Sequence, residues 1–193
     1  MNSDYKLENI VKGTKVALLF SGGVDSTLVL KVLSDHCTKV GARLTALTVE
    51  NKAGYNIFCK SLLSLYEFQH VTWIKDYYNK NNFDGNIDSA IRSILKDSAY
   101  DLVYTGTTKN PDIPLTGSPL RHTKKQIDSI PKLVCPYADK SKDKVLEDYL
   151  KHSCKYLYKF THSCTVSYVK ACGECFQCLE KHWAEEKVGS PYV

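Results

Sequence analysis

Short apolar, β-rich runs alternate with longer helical patterns from residue 15 to residue 105. This alternation is typical of βαβ units, in which helices cover both faces of a parallel sheet. We therefore predict an α/β fold with a Rossmann-like parallel sheet, whose ligands bind beyond the carboxyl ends of the strands. The predicted strands are 15–20, 43–50, 70–77 and 101–106, and the predicted helices are 26–37, about 55–68, and 87–98.

The first predicted strand runs into the stretch Ser-Gly-Gly-Val-Asp-Ser at 21–26. Two glycines can take positive φ and let the backbone approach a ligand, while the following amides and helix N-terminus point partial positive charge at an anion. Ser26 and Thr27 can add hydroxyl donors. The stretch lacks the lysine of GxxxxGK[ST], and its adjacent glycines differ from those of GxGxxG. It predicts a phosphate-binding turn of another type, and the alternative is a plain turn with Asp25 as a helix cap.

Residues 107–133 differ in composition from the alternating segments that precede them. They contain four of the chain's six prolines and show little hydrophobic periodicity. Loops this long in a compact domain are usually functional or disordered. Because the segment follows a strand end, we expect either a lid over the ligand site or a surface excursion. A further helix is predicted from Ser141, and its apolar face is formed by Val145, Leu146, Tyr149 and Leu150.

Four of the eight cysteines form one pattern near the C-terminus, where Cys164 precedes the CxxCxxC run of Cys172, Cys175 and Cys178. Four thiolates satisfy tetrahedral Zn²⁺ with no open position, so the pattern predicts a closed, structural zinc site. An iron–sulfur cluster also takes four thiolates, and a redox CxxC or coincidence are further alternatives. The other cysteines lack ligand spacing and are predicted to be small buried or half-buried residues: Cys37, Cys59, Cys135 and Cys154.

The formal net charge is +5, and residues 121–159 hold ten basic residues against five acidic ones. Such a stretch is either a solvated face or a surface for an anionic substrate or a nucleic acid. The longest apolar runs are far shorter than a bilayer span, and the N-terminal residues form no hydrophobic signal core. We therefore expect a soluble cytoplasmic protein with no membrane partner. The candidates for neutralising a phosphate or a substrate carboxylate are Lys109, Arg121, Lys140, Lys142 and Lys144.

The hexapeptide SGGVDS on a strand, turn and helix resembles the PP-loop of the ATP pyrophosphatase superfamily, whose members use ATP to adenylate a substrate oxygen and release pyrophosphate. The resemblance implies a fold of the adenine nucleotide alpha hydrolase type, with a PP-loop domain at 1–140 and a helical segment with the cysteine site at 141–193. The implied catalytic residues are Asp25 and Ser26, and Asp25 acts through Mg²⁺ because an acid beside a polyphosphate needs a cation between them. The implied ATP-binding residues are Phe20, Ser21, Gly22, Gly23, Val24, Asp25, Ser26, Thr27, Thr105 and Gly106.

The PP-loop followed by C-x7-C-x2-C-x2-C is similar to the 7-cyano-7-deazaguanine synthase (QueC) family. Further matching motifs are Thr105–Gly106, Cys135–Pro136, and Thr161–Cys164 leading into ACGECFQC. The resemblance implies an ATP-dependent ligase that converts 7-carboxy-7-deazaguanine and ammonia, through the amide, to 7-cyano-7-deazaguanine in queuosine and deazapurine biosynthesis. It also implies a homodimer that requires no nucleic acid.

Two stretches depart from the usual pattern of that family, ENKAGYN at 50–56 and TTKNPDIPLTG at 107–117. They leave open an enzyme that stops at the amide or takes another deazapurine. A tRNA-modifying PP-loop enzyme is the main alternative, and the basic stretch at 121–159 favours it. The remaining class is a nucleotide-binding partner without activity in a larger complex.

Overall fold

The computed structural model describes residues 3–49, 56–66, 71–77, 83–167 and 169–189. In this part of the chain five parallel strands form one sheet. They are β1 (Lys15–Leu19), β2 (Arg43–Val49), β3 (Val71–Tyr77), β4 (Leu102–Thr105) and β5 (Leu133–Val134), in the spatial order β3-β2-β1-β4-β5.

Five longer helices and two short ones accompany the described strands, so the predicted α/β fold with a parallel sheet is confirmed. No described helix has both the length and the apolar composition to span a bilayer. The predicted element ends at 50, 55, 67–68 and 70, and most of ENKAGYN, lie outside the described residues. The helices are α1 (Val24–Val40), α2 (Asn56–Tyr66), α3 (Phe83–Lys96), α4 (Lys124–Asp128), α5 (Lys142–Lys151), α6 (Lys155–Tyr158) and α7 (Phe176–Val188).

Strand β1 occupies the centre of the sheet, with β2 on one side and β4 on the other. The chain proceeds from β1 through β2 to β3 in one direction, and β4 and β5 then extend the sheet in the other. The order of the strands therefore reverses beside β1, and a crevice for ligands opens beyond the carboxyl ends of strands at such a point. The turn at 21–26 follows β1 directly and lies at this crevice.

Helices cover both faces of the sheet, and successive residues of β1 contribute to opposite faces as the period of two requires. Val16 and Leu18 are buried with side chains of α1, α5 and α6, whereas Ala17 is buried with side chains of α3. The helix after Ser141 thus shares a core with α1. Its predicted apolar face is buried except for Leu150, which is exposed because it lies one position past the buried Tyr149.

The segment 107–133 contains more regular secondary structure than its proline content and lack of periodicity indicate. Helix α4 begins at a capping box, in which the Thr123 hydroxyl accepts from the Gln126 amide and the Gln126 side chain accepts from the Thr123 amide. The guanidinium of Arg121 donates to the carbonyls of Thr108 and Lys109, which holds the two ends of the intervening loop together. The expectation of a long irregular segment is therefore wrong for its second half, since α4 and β5 lie there.

Candidate nucleotide site and cysteine site

The hydroxyl of Ser26 closes the turn that follows β1. Its Oγ accepts from the Ser21 amide at 3.2 Å and lies 3.0 Å from Ser21 Oγ, and the Ser26 side chain is buried. Ser21 Oγ in turn accepts from the Gly23 amide at 3.4 Å. These contacts hold the turn from within. The Val24 amide donates to Ser163 Oγ and the Thr27 amide makes the first hydrogen bond within α1, so the amides of Asp25 and Ser26 between them can receive an anion, as at other helix N-termini.

Only the first of the two glycines in the turn uses positive φ. Gly22 has φ 71°, and a Cβ there would lie 3.2 Å from the Sγ of Cys59 on α2. Gly23 has an extended backbone, with φ −77° and ψ 170°, and is the N-cap of α1. The expectation that both glycines serve through positive φ is therefore wrong for Gly23, which ends the turn and begins the helix.

A cavity of about 210 Å³ opens beside the turn, at the carboxyl ends of β1, β2 and β4. Its apolar wall comes from these strands and from α3, and its polar side comes from the turn and from the residues that follow β4. This combination suits a ligand with a flat apolar part and a charged part. The lining residues are Leu19, Phe20, Leu47, Val49 and Ile91 on the apolar side, and Ser21, Asp25, Ser26, Thr105, Gly106 and Thr107 on the polar side.

The end of β4 lies directly against the first turn of α1. A Cβ on Gly106 would lie 2.7 Å from the backbone nitrogen of Ser26 and 2.9 Å from the backbone carbon of Asp25, so only glycine fits. Thr105 is buried, and its hydroxyl lies 2.9 Å from the Sγ of Cys135. The Thr105–Gly106 motif therefore allows β4 to close the cavity from the side opposite β2.

Asp25 lines the cavity, and only one of its carboxylate oxygens takes part in a described hydrogen bond. Its Oδ2 accepts from Lys142 Nζ at 2.8 Å, whereas its Oδ1 is buried and has no hydrogen-bond partner among the described residues. Burial raises the pKa of Asp25 above its ordinary value, and the Lys142 ammonium opposes this shift only in part. A buried carboxylate oxygen without a partner is a ligand suited to a hard cation, so the residues present fit Mg²⁺ at this position.

Asp25 belongs to a buried network of two acids and two bases that joins four parts of the chain. Lys142, at the first position of α5, also donates to Glu180 Oε2 at 3.0 Å. Glu180, on α7, accepts hydrogen bonds from Nη1 and Nη2 of Arg121 at 2.8 and 3.2 Å. Arg121 also lies over the ring of Phe176, with its Cζ 5.2 Å from the ring centroid.

The network is electrically balanced, which explains how it can be buried. The side chain of Glu180 is 0% exposed and that of Lys142 is 3% exposed. Burial works against the Glu180 carboxylate, but the Lys142 and Arg121 charges outweigh it and lower its pKa. Burial likewise works against the Lys142 ammonium, and the two carboxylates raise its pKa. Because each ion is desolvated, removing one partner leaves an uncompensated charge, which typically costs about 3–5 kcal/mol.

Of the five basic candidates, only Lys142 reaches the turn. Lys109 pairs with Asp112, Lys140 with Asp4, and Lys144 with Glu147. These three lysines line a separate groove between α5 and the start of the 107–133 segment. Arg121 binds Glu180 and makes no described hydrogen bond to the turn, although its charge slightly opposes the rise that burial causes in the pKa of Asp25.

The four predicted ligand cysteines converge on one point, with their Sγ atoms all within 4.8 Å of one another. Cys172 and Cys178 are 3.9 Å apart, and Cys164 and Cys175 are 4.0 Å apart. Thiolates that share one tetrahedral Zn²⁺ at 2.3 Å are about 3.8 Å apart. A four-iron cluster places each thiolate on a different iron at the corners of a cube, which separates the sulfurs further.

Backbone amides surround the cysteine sulfurs in the manner of a metal knuckle. Gly173 has φ 82°, which turns the chain between the first two cysteines of the CxxCxxC run. The amide of Cys175 then donates to Cys172 Sγ at 3.3 Å, and the amide of Ser167 donates to Cys164 Sγ at 3.2 Å. Burial opposes a thiolate at Cys164, but hydrogen bonds from the backbone of Ser167, Cys172 and Val166 outweigh it and lower the pKa of Cys164. The cysteine set is a metal-binding group.

The segment that leads into the cysteine site touches the phosphate turn. The amide of His162 donates to the carbonyl of Gly22 at 2.9 Å, and the Val24 amide donates to Ser163 Oγ at 3.4 Å. The His162 ring stacks on Phe58 of α2 with 4.2 Å between ring centroids. His162 is therefore buried and holds this segment in place, whereas His182 is exposed on α7.

Sequence reasoning did not find Glu180, because a single acid within FQCLEKHW carries no periodic or spacing signal. Its role depends on the approach of α7 to α5, which only the tertiary structure shows. The predicted nucleotide-site residues lie in or next to the turn, at the start of α1 or at the end of β4. Four of them do not line the cavity: Gly22, Gly23, Val24 and Thr27. The hydroxyl of Thr27 has no hydrogen-bond partner in the described part of the chain.

Comparison with known proteins gives a fold and no family. No family model matches the chain, and no curated protein matches it. Among solved structures, the chain is similar to the U34-tRNA thiolase NcsA from Methanococcus maripaludis with its [4Fe-4S] cluster. The two are 14% identical, with a TM-score of 0.55, and the likeness covers 98% of this chain and 75% of the thiolase chain. This likeness shows the fold, a Rossmann-like parallel α/β sheet.

Proposed function

We propose that the chain is an ATP-using enzyme of the PP-loop ATP pyrophosphatase superfamily. The observation that carries this proposal is the Asp25 carboxylate, which presents an unpartnered Oδ1 beside an internally closed turn at the start of α1. The turn lies at the switch point of the sheet and opens into an apolar cavity. This arrangement supports a nucleotide with its base in the cavity, its phosphates at the helix N-terminus and Mg²⁺ at Asp25.

Within that superfamily we propose the reaction of the 7-cyano-7-deazaguanine synthases, because the turn, the Thr105–Gly106 motif and the cysteine spacing all match that family. A carboxylate resists ammonia because its charge repels nucleophiles and oxide is a poor leaving group. The carboxylate oxygen attacks the α-phosphorus of ATP, the bond to the bridging oxygen breaks, and pyrophosphate leaves with the electron pair. Ammonia then adds to the acyl carbon, the carbon–oxygen bond to AMP breaks, and a proton is lost to give the amide.

A second ATP converts the amide to the nitrile. The amide oxygen attacks the α-phosphorus, pyrophosphate leaves, and loss of AMP and two nitrogen-bound protons leaves a carbon–nitrogen triple bond. Mg²⁺, when bound, neutralises charge on the phosphates. The chain's own contributions are the amides at the start of α1, the ammonium of Lys142 beside Asp25, and apolar walls that keep water from the adenylate.

For the cysteine site we propose a single structural Zn²⁺. The 3.9 and 4.0 Å separations of the sulfurs support one shared ion, since they agree with a tetrahedral set at zinc–sulfur distances. Metal analysis of protein purified without oxygen distinguishes the metals. One zinc per chain supports the proposal, and iron with labile sulfide would replace it with a cluster.

The reaction is tested by incubating the purified protein with ATP, Mg²⁺, ammonium and 7-carboxy-7-deazaguanine. Mass spectrometry should detect the nitrile together with AMP, and an Asp25→Asn variant should form neither. AMP formed with the amide alone would show that this enzyme stops at the first half. ATP turnover without either deazaguanine product would reject the substrate.

A tRNA-modifying enzyme is the second candidate, and one surface favours it. Tyr156 and Phe160 are 46% and 38% exposed, and they alternate with Lys155 and Lys159 around α6. Exposed aromatic rings between lysines suit single-stranded nucleic acid, since bases stack on the rings while lysines contact the phosphates.

Filter binding of bulk tRNA tests this second candidate. Binding that weakens steeply with salt, and weakens further in a Lys155→Ala, Lys159→Ala double variant, would support it. A Lys39→Ala variant is the control for the loss of positive charge, since Lys39 is exposed near the end of α1. The absence of tRNA binding at low salt would remove this candidate.

A further inference from the structure

Helix α7 connects the cysteine site to the phosphate turn. Cys175 is its N-cap and Cys178 lies in its first turn, so two of the four sulfurs are fixed by the position of this helix. Glu180 follows on the same helix, fully buried, and accepts from Lys142 at 3.0 Å. Lys142 donates at 2.8 Å to Asp25, which belongs to the phosphate turn.

A second set of contacts connects the other end of the cysteine site to the same turn. Cys164 follows His162 and Ser163, whose backbone amide and hydroxyl engage Gly22 and Val24 at 2.9 and 3.4 Å. The two connections run through different elements and share only the cysteine site and the turn. A metal that fixes the four sulfurs would therefore fix both connections at once.

We propose that Glu180 is a positioning residue, through which occupancy of the cysteine site controls the order of the turn at 21–27. With the metal bound, α7 holds Glu180 against Lys142, and Lys142 holds the Asp25 carboxylate in place at the turn. Without the metal, or without the Glu180 carboxylate, Lys142 loses one of its two acceptors and the turn loosens. This coupling rests on the proposed function in one respect, that the ligand of the ordered turn is the phosphate chain of ATP.

A structural metal alone does not account for a carboxylate at position 180. A buried acid between two bases carries a desolvation cost that an apolar side chain would avoid, and such a group is retained where it specifies one arrangement. Glu185 and Glu186 on the same helix show the contrast. Glu185 accepts from the Tyr158 hydroxyl, and Glu186 lies at the surface beside His182, and neither reaches the turn.

The test is amide hydrogen exchange, read by mass spectrometry, on peptides that cover the turn at 21–27. It compares the metal-loaded wild type, the metal-stripped wild type, and a metal-loaded Glu180→Gln variant that keeps the size of the side chain. We expect exchange in the turn to quicken about tenfold in the last two samples, since stripping releases Glu180 from Lys142 and the variant removes the carboxylate charge from that hydrogen bond. Glu186→Gln is the matched control and should exchange at the wild-type rate.

Two results would overturn the proposal. One is a Glu180→Gln protein with its full metal content and wild-type exchange in the turn. The other is a stripped protein in which exchange quickens at 164–178 but not at 21–27. If removal of the metal raises exchange throughout β1 and β2, the protein has unfolded, and the Glu180→Gln variant then decides whether the proposal holds. If Glu180→Gln does not fold, Lys142→Met takes its place, because it removes the same connection between α7 and the turn.

Binding of the non-hydrolysable analogue α,β-methylene-ATP, measured by calorimetry with Mg²⁺, gives the functional readout. Glu180→Gln should bind about tenfold more weakly than the wild type, and Glu186→Gln should bind as tightly as the wild type. A Glu180→Asp variant should recover part of the affinity, because it restores the charge on a shorter side chain. If the wild type binds no analogue, the proposed function is wrong. The exchange measurement would still show whether the cysteine site is coupled to the turn.

Discussion

Replacement of Lys142 by Met should destabilise the protein far more than replacement of an ordinary lysine. The substitution keeps most of the side-chain volume and removes the one cation that lies between Asp25 and Glu180 at 2.8 and 3.0 Å. The two carboxylates then face each other across an apolar side chain. Removal of one partner from a buried ion pair typically costs about 3–5 kcal/mol.

The lower end of that range applies at this position. Glu180 keeps both of its contacts with Arg121, and Asp25 is 19% exposed, so part of its charge is solvated. We therefore expect a loss of about 3 kcal/mol in the free energy of unfolding. For a chain of this length that corresponds to a fall of about 6–12 °C in Tm.

Urea denaturation of the metal-loaded protein without added Mg²⁺ measures this loss, and Lys144→Met is the matched control two positions along α5. Lys144 is half exposed and pairs only with Glu147, so its replacement should change the free energy of unfolding by less than about 1 kcal/mol. Mg²⁺ should also stabilise the Lys142→Met protein more than the wild type, because Asp25 no longer has its ammonium partner. A Lys142→Met protein as stable as the Lys144→Met protein would refute the account of the buried network.

Three further outcomes are expected. Cys175→Ser should lower both the metal content and the midpoint of thermal unfolding, since a structural metal contributes folding free energy; a stable, metal-free variant would contradict this. Gly106→Ala should cost about 1–3 kcal/mol and weaken ATP binding, because its Cβ would meet the Ser26 backbone nitrogen at 2.7 Å; wild-type affinity measured by calorimetry would count against it. Burial opposes the charge of Asp143, but hydrogen bonds from Lys187 and Ser141 outweigh it and lower the pKa of Asp143. Its stabilising effect is therefore fully present above about pH 4, the ordinary pKa of an aspartate, and is lost as the pH falls through the lowered pKa. Denaturation of Asp143→Asn should show a larger deficit relative to the wild type at pH 7 than at pH 3, and equal deficits would contradict this.

The fold was predictable because its signal is repeated along the chain. In each strand–helix pair a short apolar run is followed by a longer helical pattern of apolar residues. Strand β1 is marked further by the glycine-containing turn that follows it. The cysteine site was predictable for a similar reason, since the spacing of its four cysteines alone brings three of them together. Strand β5 was missed because two residues cannot show a period.

The connection between the two sites could not be predicted from the sequence. Lys142 was one of five equivalent basic candidates, and only the packing of α5 on α1 brings it to Asp25. Glu180 gave no signal at all. Side chains that act across elements distant in the sequence are specified by the tertiary structure, whereas turns and ligand spacings are local and can be read directly.

In the function proposed above, the turn after β1 directs attack to the α-phosphorus of ATP. The most direct test is ³¹P NMR of the products formed from ATP, Mg²⁺, ammonium and 7-carboxy-7-deazaguanine. The account predicts AMP and pyrophosphate in equal amounts, formed only with the deazaguanine present and lost in Asp25→Asn. Production of ADP and inorganic phosphate would contradict it, because ATP would then be cleaved at the γ-phosphorus.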